Sequence, residues 1–537
     1  MTQSVDILIV GCGAVGVSLL ANFQRIAAGR PGTSIAVVDP AAEPGRGLAY
    51  GPDLDSNILN RANQSISVLA DDQSEFFRWL AGEKAAGRLP ARYAGLSLDP
   101  DGFAPRPLFG DYLAARARQA VAALRDRGWS IRHERSEACD IESDGRGYRV
   151  RCDNGRVWRA GTVILATGNG PSVAHRAFEA ISGYVAMPYP TADLVPRIGA
   201  DTPVALLGSR LTAVDAAIAL VEQGHRAPIA MISRSGRLPM VGGGRDGHRL
   251  AADTVAAALA ARAKGSGSLS LFRVMRILLR EIARAEGRPV RAAEILRPDL
   301  DPIDFFLKTV ADAGAGVRRR WQEALIPFNE FVADFWNGLD GDDQRRLMAG
   351  PYGAYMALRV AIPLTNGRKI ADLLASGRVV LRWPLRSVRH DGHLFHLDLG
   401  GGEAKTGETL AVPALVNCTG VVGGPDIGGS HLYANLLRSG LVRRHPFGGL
   451  DVDRHSNRIS NDHGLEEGLF AIGNATSGVF LLTSNLVLNA GHAERVAGTV
   501  LARLGQDDAC GAGAPVGAPP GGPAFIGTNS CRRKGMS

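Results

Sequence analysis

The sequence predicts an α/β fold of two Rossmann-like units with β-meanders and a helical insertion, and three observations predict it. An apolar run at residues 5–10 leads through a glycine-rich turn into a helical pattern, and residues 203–207 begin the same succession again. Twice, at residues 162–168 and 415–420, a buried strand follows alternating runs and ends in Thr-Gly. The chain's 537 residues, 45% hydrophobic and 21% charged, suit several globular cores and exclude a peptide or a disulfide-stapled module.

Gly11-Cys12-Gly13-Ala14-Val15-Gly16 follows the first strand at once, and the helical pattern continues to Ile26. In this strand-turn-helix setting Gly-x-Gly-x-x-Gly is a dinucleotide fingerprint. Gly11 permits the tight turn, Gly13 lets the backbone approach a pyrophosphate, and Gly16 lets the helix pack on the strand. Ala14 and Val15 open the helix, whose free N–H groups face the phosphates. A second strand, residues 34–38, ends in Asp39, whose carboxylate is placed to accept hydrogen bonds from an adenosine ribose. A glycine-rich turn in an ordinary α/β domain would not require that acid.

Residues 131–160 hold short alternating runs with turn signals at Asp144-Gly145 and Asn154-Gly155, which read as a β-meander. The next strand ends in Ala166-Thr167-Gly168, and Asn417-Cys418-Thr419-Gly420 closes a second meander. Paired exits of this kind resemble flavoproteins with two dinucleotide-binding domains, which implies FAD at the first fingerprint. The second unit repeats the topology with a helix to Gln223 and a strand at 229–233. Its turn, Gly208-Ser209-Arg210-Leu211-Thr212-Ala213, carries Arg210 in place of the middle glycine, where a side chain either crowds a pyrophosphate or pairs with it. Ser233-Arg234 stands where an NAD-preferring site puts an acid, so Arg234 suits the 2′-phosphate of NADPH. A surface arginine in a turn is the plainer reading.

Further motifs carry a family resemblance. Gly45-Arg46-Gly47-Leu48-Ala49-Tyr50, Leu59-Asn60-Arg61-Ala62 with Ser67, and Asp71-Asp72 before Phe76 and Trp79-Leu80 are similar to the bacterial FAD/NAD(P)-binding family of flavoproteins. Pro105-Arg106 with Phe109-Gly110-Asp111-Tyr112, Leu211-Thr212-Ala213-Val214-Asp215, Ile232-Ser233-Arg234 and Asn417-Cys418-Thr419-Gly420 extend the likeness over most of the chain. The resemblance implies relation to NADPH-using flavin monooxygenases, including amino-acid N-hydroxylases, and to a urate hydroxylase. It places Asn60, Ser67, Arg106 and Thr212 beside the cofactors. Arg210 departs from the family pattern, as does Gly478-Val479-Phe480-Leu481-Leu482, where the family has Trp-Glu. Related flavoproteins hold the ribityl chain with an Asp after a late glycine. Here Gly473-Asn474, after a strand at 469–472, keeps the hydrogen bond without the charge. A helix from about Thr483 to Leu504 would aim its N-terminus at the flavin pyrimidine, with Thr483, Ser484 and Asn485 there or serving as caps.

Other chemistries lack support. Six cysteines make no Cys-x-x-Cys pair and no metal-ligand spacing, which argues against a disulfide framework, a zinc module or a dithiol reductase and points to a reducing compartment. No Gly-x-Ser-x-Gly or Walker loop occurs. His390, His393 and His396 resemble a metal cluster, but Asp391-Gly392 is a hairpin signal that splits them between strands. Arg273, Arg276, Arg280 and Arg284 form a stripe at helical spacing, read as a solvated face, and Phe328, Phe331 and Phe335 read as core. The apolar residues 7–20 follow Asp6 without a basic flank, and no uncharged apolar run reaches about eighteen residues, so neither a signal peptide nor a membrane span is expected and the cytoplasm is.

Residues 1–195 and 421–505 are expected to form one FAD-binding domain, with 196–420 inserted as an NAD(P)-binding-like domain. Within the insert, about 245–365 is mainly helical, entered at the glycines after Val241, and would serve as a lid or pocket wall. Residues 506–537, rich in glycine and proline, are expected to be disordered. The expected activity is that of an FAD enzyme taking hydride from NADPH and using molecular oxygen to hydroxylate a small polar substrate. Two alternatives stand beside it: a nicotinamide-independent flavin dehydrogenase or oxidase, which Arg210 favours, and an RNA-binding flavoprotein using the arginine stripe. The net charge of +8 suits anionic small molecules as well as nucleic acid.

Overall fold

The computed structural model describes residues 2–27, 31–170, 175–243, 247–359, 361–400, 407–420 and 430–511. Its largest sheet runs in the order Arg458–Asn461, Gly464–Ala471, Val157–Leu165, Thr2–Val10, Ser34–Val38 and Ser130–Glu134. The central pairings are parallel, with Ile7 opposite both Ile35 and Thr162 and Leu469 opposite Val163. The helices Ala14–Ile26 and Leu486–Gly511 cover one face and the strand Tyr148–Cys152 with the helix His431–Arg438 covers the other, so Ile7, Leu8 and Ile9 form a continuous buried run instead of alternating with polar residues. Leu19, Leu20 and Phe23 of the helix Ala14–Ile26 share a core with Ala493, Val496 and Val500 of the helix Leu486–Gly511. The end of the described chain therefore packs on its beginning.

The expected meander at 131–160 needs one correction. Ser130–Glu134 is the parallel edge strand beside Ser34–Val38, and the antiparallel ribbon consists of Ala138–Ser143, Tyr148–Cys152 and Val157–Leu165. Alternating burial is common to an edge strand and a ribbon, so the pattern alone did not separate them.

The second sheet runs Val379–Arg382, Ile229–Ile232, Val204–Leu207, Ala414–Asn417 and Tyr184–Val185, all parallel. Tyr184–Val185, ahead of the boundary expected at 196, pairs in this sheet; a two-residue strand is too short to show periodicity. A three-stranded antiparallel sheet, Leu385–His390, Phe395–Leu399 and Glu408–Val412, packs on it through Phe395 and Leu397 against Ala205, Leu207 and Ile232. His390 pairs with Phe395 across the hairpin, as the Asp391-Gly392 signal predicts, and among the described residues no group of side chains could hold a metal.

The chain from 252 to 359 is helical, and Phe328, Phe331 and Phe335 join Trp336 in its core. Arg284 of the stripe is paired with Asp253 and Glu281, and Arg276 lies over the Phe272 ring, which leaves Arg273 and Arg280 as the stripe's exposed charges without such partners among the described residues. No helix among the described residues is long and apolar enough to cross a membrane. Of the segment 506–537, expected to be disordered, residues 506–511 continue the helix Leu486–Gly511, and 512–537 lie outside the described residues.

Candidate functional site

The first glycine turn is built by backbone contacts that only glycine allows. Gly11 has φ +89°, and a Cβ there would lie 2.5 Å from the Ala166 carbonyl oxygen. A Cβ on Gly16 would lie 2.7 Å from the Gly11 carbonyl oxygen, so strand and helix meet as closely as the fingerprint requires. Gly13 caps the helix without a side-chain hydrogen bond, leaving the N–H groups of Ala14 and Val15 at an uncapped, electropositive helix end. Opposite Gly13 stands Gly47: a Cβ on Gly47 would come within 3.1 Å of the Gly13 Cα. Two glycines thus line the approach to the helix end.

Asp39 braces this turn. Its Oδ2 accepts from the Cys12 N–H at 2.6 Å and its Oδ1 from the Ala41 N–H at 2.9 Å, while each oxygen keeps a further lone pair. The motif around Gly47 is held from behind by Gly45 N–H donating to the Cys12 carbonyl at 2.7 Å and by an Arg46–Asp111 ion pair at 2.6 Å. Gly473 brings the distant C-terminal segment to the same place, since its Cβ position is 3.8 Å from Val15 Cγ2. Asn474 follows, and its Oδ1 accepts from Thr483 Oγ1 at 3.3 Å. Thr167 stands beside Gly11 and shares a 2.5 Å hydrogen bond with Tyr433, while Gly168 is exposed.

Other expected site residues have these surroundings. Ser67 is fully buried, with its hydroxyl bonded to Glu75 at 3.2 Å and receiving the Leu69 N–H at 3.0 Å. Asn60 is exposed on a loop. Arg106 crosses to the second unit, where its Nη2 pairs with Asp215 Oδ2 at 2.8 Å and its Nη1 donates to Tyr189 at 3.2 Å. The resemblance expects these residues near the cofactor; in the fold Ser67 also packs a loop and Arg106 also joins the units. Asp215, the lone charge in the apolar run 211–220, was the available signal, since a buried carboxylate needs a cationic partner. The helix expected from Thr483 begins at Leu486, with Asn485 Oδ1 accepting from the Val487 N–H at 3.1 Å. Thr483 is buried before it and Ser484 is exposed.

The second turn repeats the first atom for atom at the backbone. Gly11 N–H donates to Val38 at 2.8 Å and Gly208 N–H to Ile232 at 2.6 Å; Ala166 N–H donates to Val10 at 2.8 Å and Cys418 N–H to Leu207 at 2.9 Å. Arg210 caps the helix Leu211–Glu222 with no side-chain bond to it, and its Nη2 reaches the Gly353 carbonyl at 2.7 Å. Thr212 is half-buried in the first turn. Ser233 Oγ accepts from the Gly236 N–H at 2.9 Å, and Arg234 is exposed with no ion pair among the described residues.

The comparisons bear on this geometry. Residues 8–170 match the FAD-NAD(P)-binding family. That segment contains the first fingerprint, Asp39, the Gly45–Tyr50 motif and Thr167-Gly168. No curated protein matches the chain by sequence. Among solved structures, ornithine hydroxylase from Pseudomonas aeruginosa is similar at 14% identity and TM-score 0.50, covering 93% of this chain and 100% of that one. Ornithine N-hydroxylase from Kutzneria sp. 744, solved with reduced FAD, NADP+ and L-ornithine, has 15% identity and TM-score 0.51, covering 94% and 100%. L-lysine 6-monooxygenase from Pseudomonas syringae has 16% identity and TM-score 0.50, covering 93% and 99%. The fold shared with these enzymes is the two-unit α/β architecture expected from the sequence.

The turn at residues 478–482 is capped from the insertion. Trp336 Nε1 donates to the Gly478 carbonyl at 2.7 Å and Asn337 Nδ2 to Val479 at 2.9 Å, so an indole from the insertion lies on the turn where the family's Trp-Glu is missing. Leu481, in the same turn, has φ +55°, a strained conformation for a side chain of its size. Beneath it the His492 ring lies 4.1 Å from that of Phe480, and its Nδ1 is buried with no hydrogen-bond partner among the described residues. Burial, with a smaller contribution from Arg495, lowers the His492 pKa from 6.5 to about 3. The folded state then holds His492 neutral while the unfolded chain protonates it, so stability is full above pH 6.5 and falls as pH drops toward 3. His492→Leu should flatten that acid limb by on the order of 3 kcal/mol, measured by urea unfolding at a series of pH values. An unchanged limb would mean that the ring protonates without cost in the folded protein.

Proposed function

We propose that the chain is an FAD-dependent oxidoreductase that takes hydride from NADPH and, in monooxygenase mode, hydroxylates a small polar metabolite. The observation that carries this reading is the convergence of Gly13, Gly47, Asp39, Gly473, Asn474 and Thr483 around one uncapped helix end, in a chain whose second turn has the same backbone hydrogen bonds. These residues fit a dinucleotide: the glycine approach admits a pyrophosphate, the helix end offers N–H groups, and Asp39 keeps lone pairs for a ribose. Asn474 and Thr483 would hold the ribityl end. Bound there, FAD supplies the electron transfer and oxygen chemistry; the protein's part is to bind, orient and exclude water. The solved N-hydroxylases of the same fold support an amino-acid-like substrate.

Anaerobic mixing of the purified protein with NADPH tests the whole reading, with bleaching of the flavin absorbance expected. A yellow protein that dithionite reduces and NADPH does not would promote the nicotinamide-independent dehydrogenase or oxidase. That second reading is favoured by Arg210, whose side chain occupies the middle fingerprint position.

Arg234 gives the nucleotide preference. An exposed guanidinium without an ion pair is available to a 2′-phosphate, an interaction of about 1.5–3 kcal/mol, or roughly tenfold or more in affinity. NADPH should reduce the flavin at lower concentration than NADH, and Arg234→Ala should remove the difference. Equal subsaturating rates in the parent protein would refute the assignment.

A further inference from the structure

The helical insertion carries a charged cavity whose lining includes no residue of either glycine turn. It measures about 410 Å³ and opens between the helices Ala252–Lys264 and Leu271–Glu286. Asp253 and Thr254 stand on one wall; Phe272 and three members of the arginine stripe, Arg273, Arg276 and Arg280, stand on the other. A spacing of three and four residues puts those three guanidiniums on one face of their helix. The two helices are tied at one end, where Thr254 Oγ1 donates to the buried Glu281 at 2.6 Å and Arg284 pairs with Asp253 at 2.8 Å.

The carboxylates at this place are engaged with other groups. Asp253, the acid that lines the cavity, holds Arg284, and Glu281 is shared by Thr254, His248 and Arg284. Asp343 meets the start of the second helix, where it accepts from the Leu271 N–H at 2.7 Å and pairs with Arg346 at 2.9 Å. Arg273, Arg276 and Arg280 are exposed, and none has an ion pair among the described residues. Like charges on one helix face repel, and an anion among them removes that cost. The Arg276 guanidinium lies over the Phe272 ring, 4.9 Å from its centroid. Phe272 is nevertheless 70% exposed, the most of any large apolar side chain among the described residues, so the ring still has surface for a planar ligand.

We propose that this cavity binds a nucleoside polyphosphate, with its phosphates on Arg273, Arg276 and Arg280 and its base against Phe272. A polyphosphate brings several negative charges into a small volume and accepts guanidinium forks, whereas a polycarboxylate matches the charge and offers no ring. A nucleic-acid strand draws its affinity from phosphate contacts spread along its length, and arginines gathered in one cavity suit a compact polyanion instead. The site shares no residue with the flavin and nicotinamide turns, so it lies beyond the flavoenzyme reading.

Titration calorimetry of the purified holoprotein with UTP tests this, with tripolyphosphate, citrate and uridine as parallel probes. UTP should bind saturably, tripolyphosphate more weakly, citrate more weakly still and uridine not at all. Arg273→Ala and Arg280→Ala should each weaken UTP by about tenfold or more, through loss of a charged contact. Phe272→Ala should weaken UTP by about fivefold or more and tripolyphosphate by less, because only the nucleotide has a base to stack. All three side chains are exposed, so the variants should melt with the parent, and Arg280→Gln serves if an alanine variant does not fold. Arg389→Ala removes an exposed arginine from the three-stranded sheet and should leave UTP binding unchanged. Full retention of UTP in the cavity variants would put the nucleotide in a dinucleotide turn and overturn the proposal. Failure of UTP to bind, citrate binding as tightly as UTP, or an equal loss in Arg389→Ala would overturn it as well. So would tighter binding of single-stranded oligouridylate, which would return the stripe to nucleic acid.

Discussion

Purified Gly13→Glu protein should be colourless, and added FAD should not restore the flavin spectrum that the parent carries. A side chain at this position projects toward Gly47, whose own Cβ position is already 3.1 Å from the Gly13 Cα, so a glutamate fills the glycine-lined approach. It also sets a negative charge at the uncapped end of the helix Ala14–Ile26, where the phosphates' own charge would have to sit. Gly13→Ala is the control. Its Cβ meets the Gly47 Cα at 3.4 Å, a close but tolerable contact, so this variant should fold and retain weakened FAD. Ultraviolet-visible spectra of the two variants, with melting curves to show that both fold, read the difference. A folded Gly13→Glu protein that stays yellow would move the flavin away from this turn.

The buried junction between the units should give the largest stability effect. Arg106 and Asp215 pair at 2.8 Å with side-chain exposures of 16% and 4%, and Tyr189 donates to the same carboxylate oxygen at 2.7 Å. Burial raises the Asp215 pKa, and Arg106 is the cation that compensates it. Arg106→Ala should therefore cost about 3–5 kcal/mol, because the carboxylate is left desolvated with one phenol for company. Replacing both partners by apolar residues, Arg106→Met with Asp215→Leu, should cost much less than the single change, since no orphan charge remains. Denaturant unfolding of the single and double variants measures this. A double variant as unstable as Arg106→Ala would show that the pair contributes through packing and not through charge.

Much of this molecule was legible along the chain because its information is local. A strand buried on both faces reads as an unbroken apolar run, a glycine turn reads as its spacing, and both recur at 203–208 as they occur at 5–11. The repeated backbone bonds of Gly11 and Gly208 are the physical counterpart of that repeat. The acid at Asp39 and the hairpin at Asp391-Gly392 were readable for the same reason, since each depends on a few neighbouring residues.

Tertiary structure decided what those local signals are attached to. Ser67 and Arg106 carry motifs that look like cofactor contacts, and packing gives one hydroxyl a buried bond with Glu75 and takes one guanidinium across the unit boundary to Asp215. Arg210 posed a choice between crowding and pairing with a pyrophosphate, and the fold offered a third partner, the Gly353 carbonyl, 143 positions away in the chain. Trp336 gave no signal at all, because a residue within a helical segment carries no mark of the turn it covers. A hydrogen bond or a buried charge is satisfied by whatever group the folded chain brings within about 3 Å, and sequence spacing does not encode that distance once the partners sit on different elements.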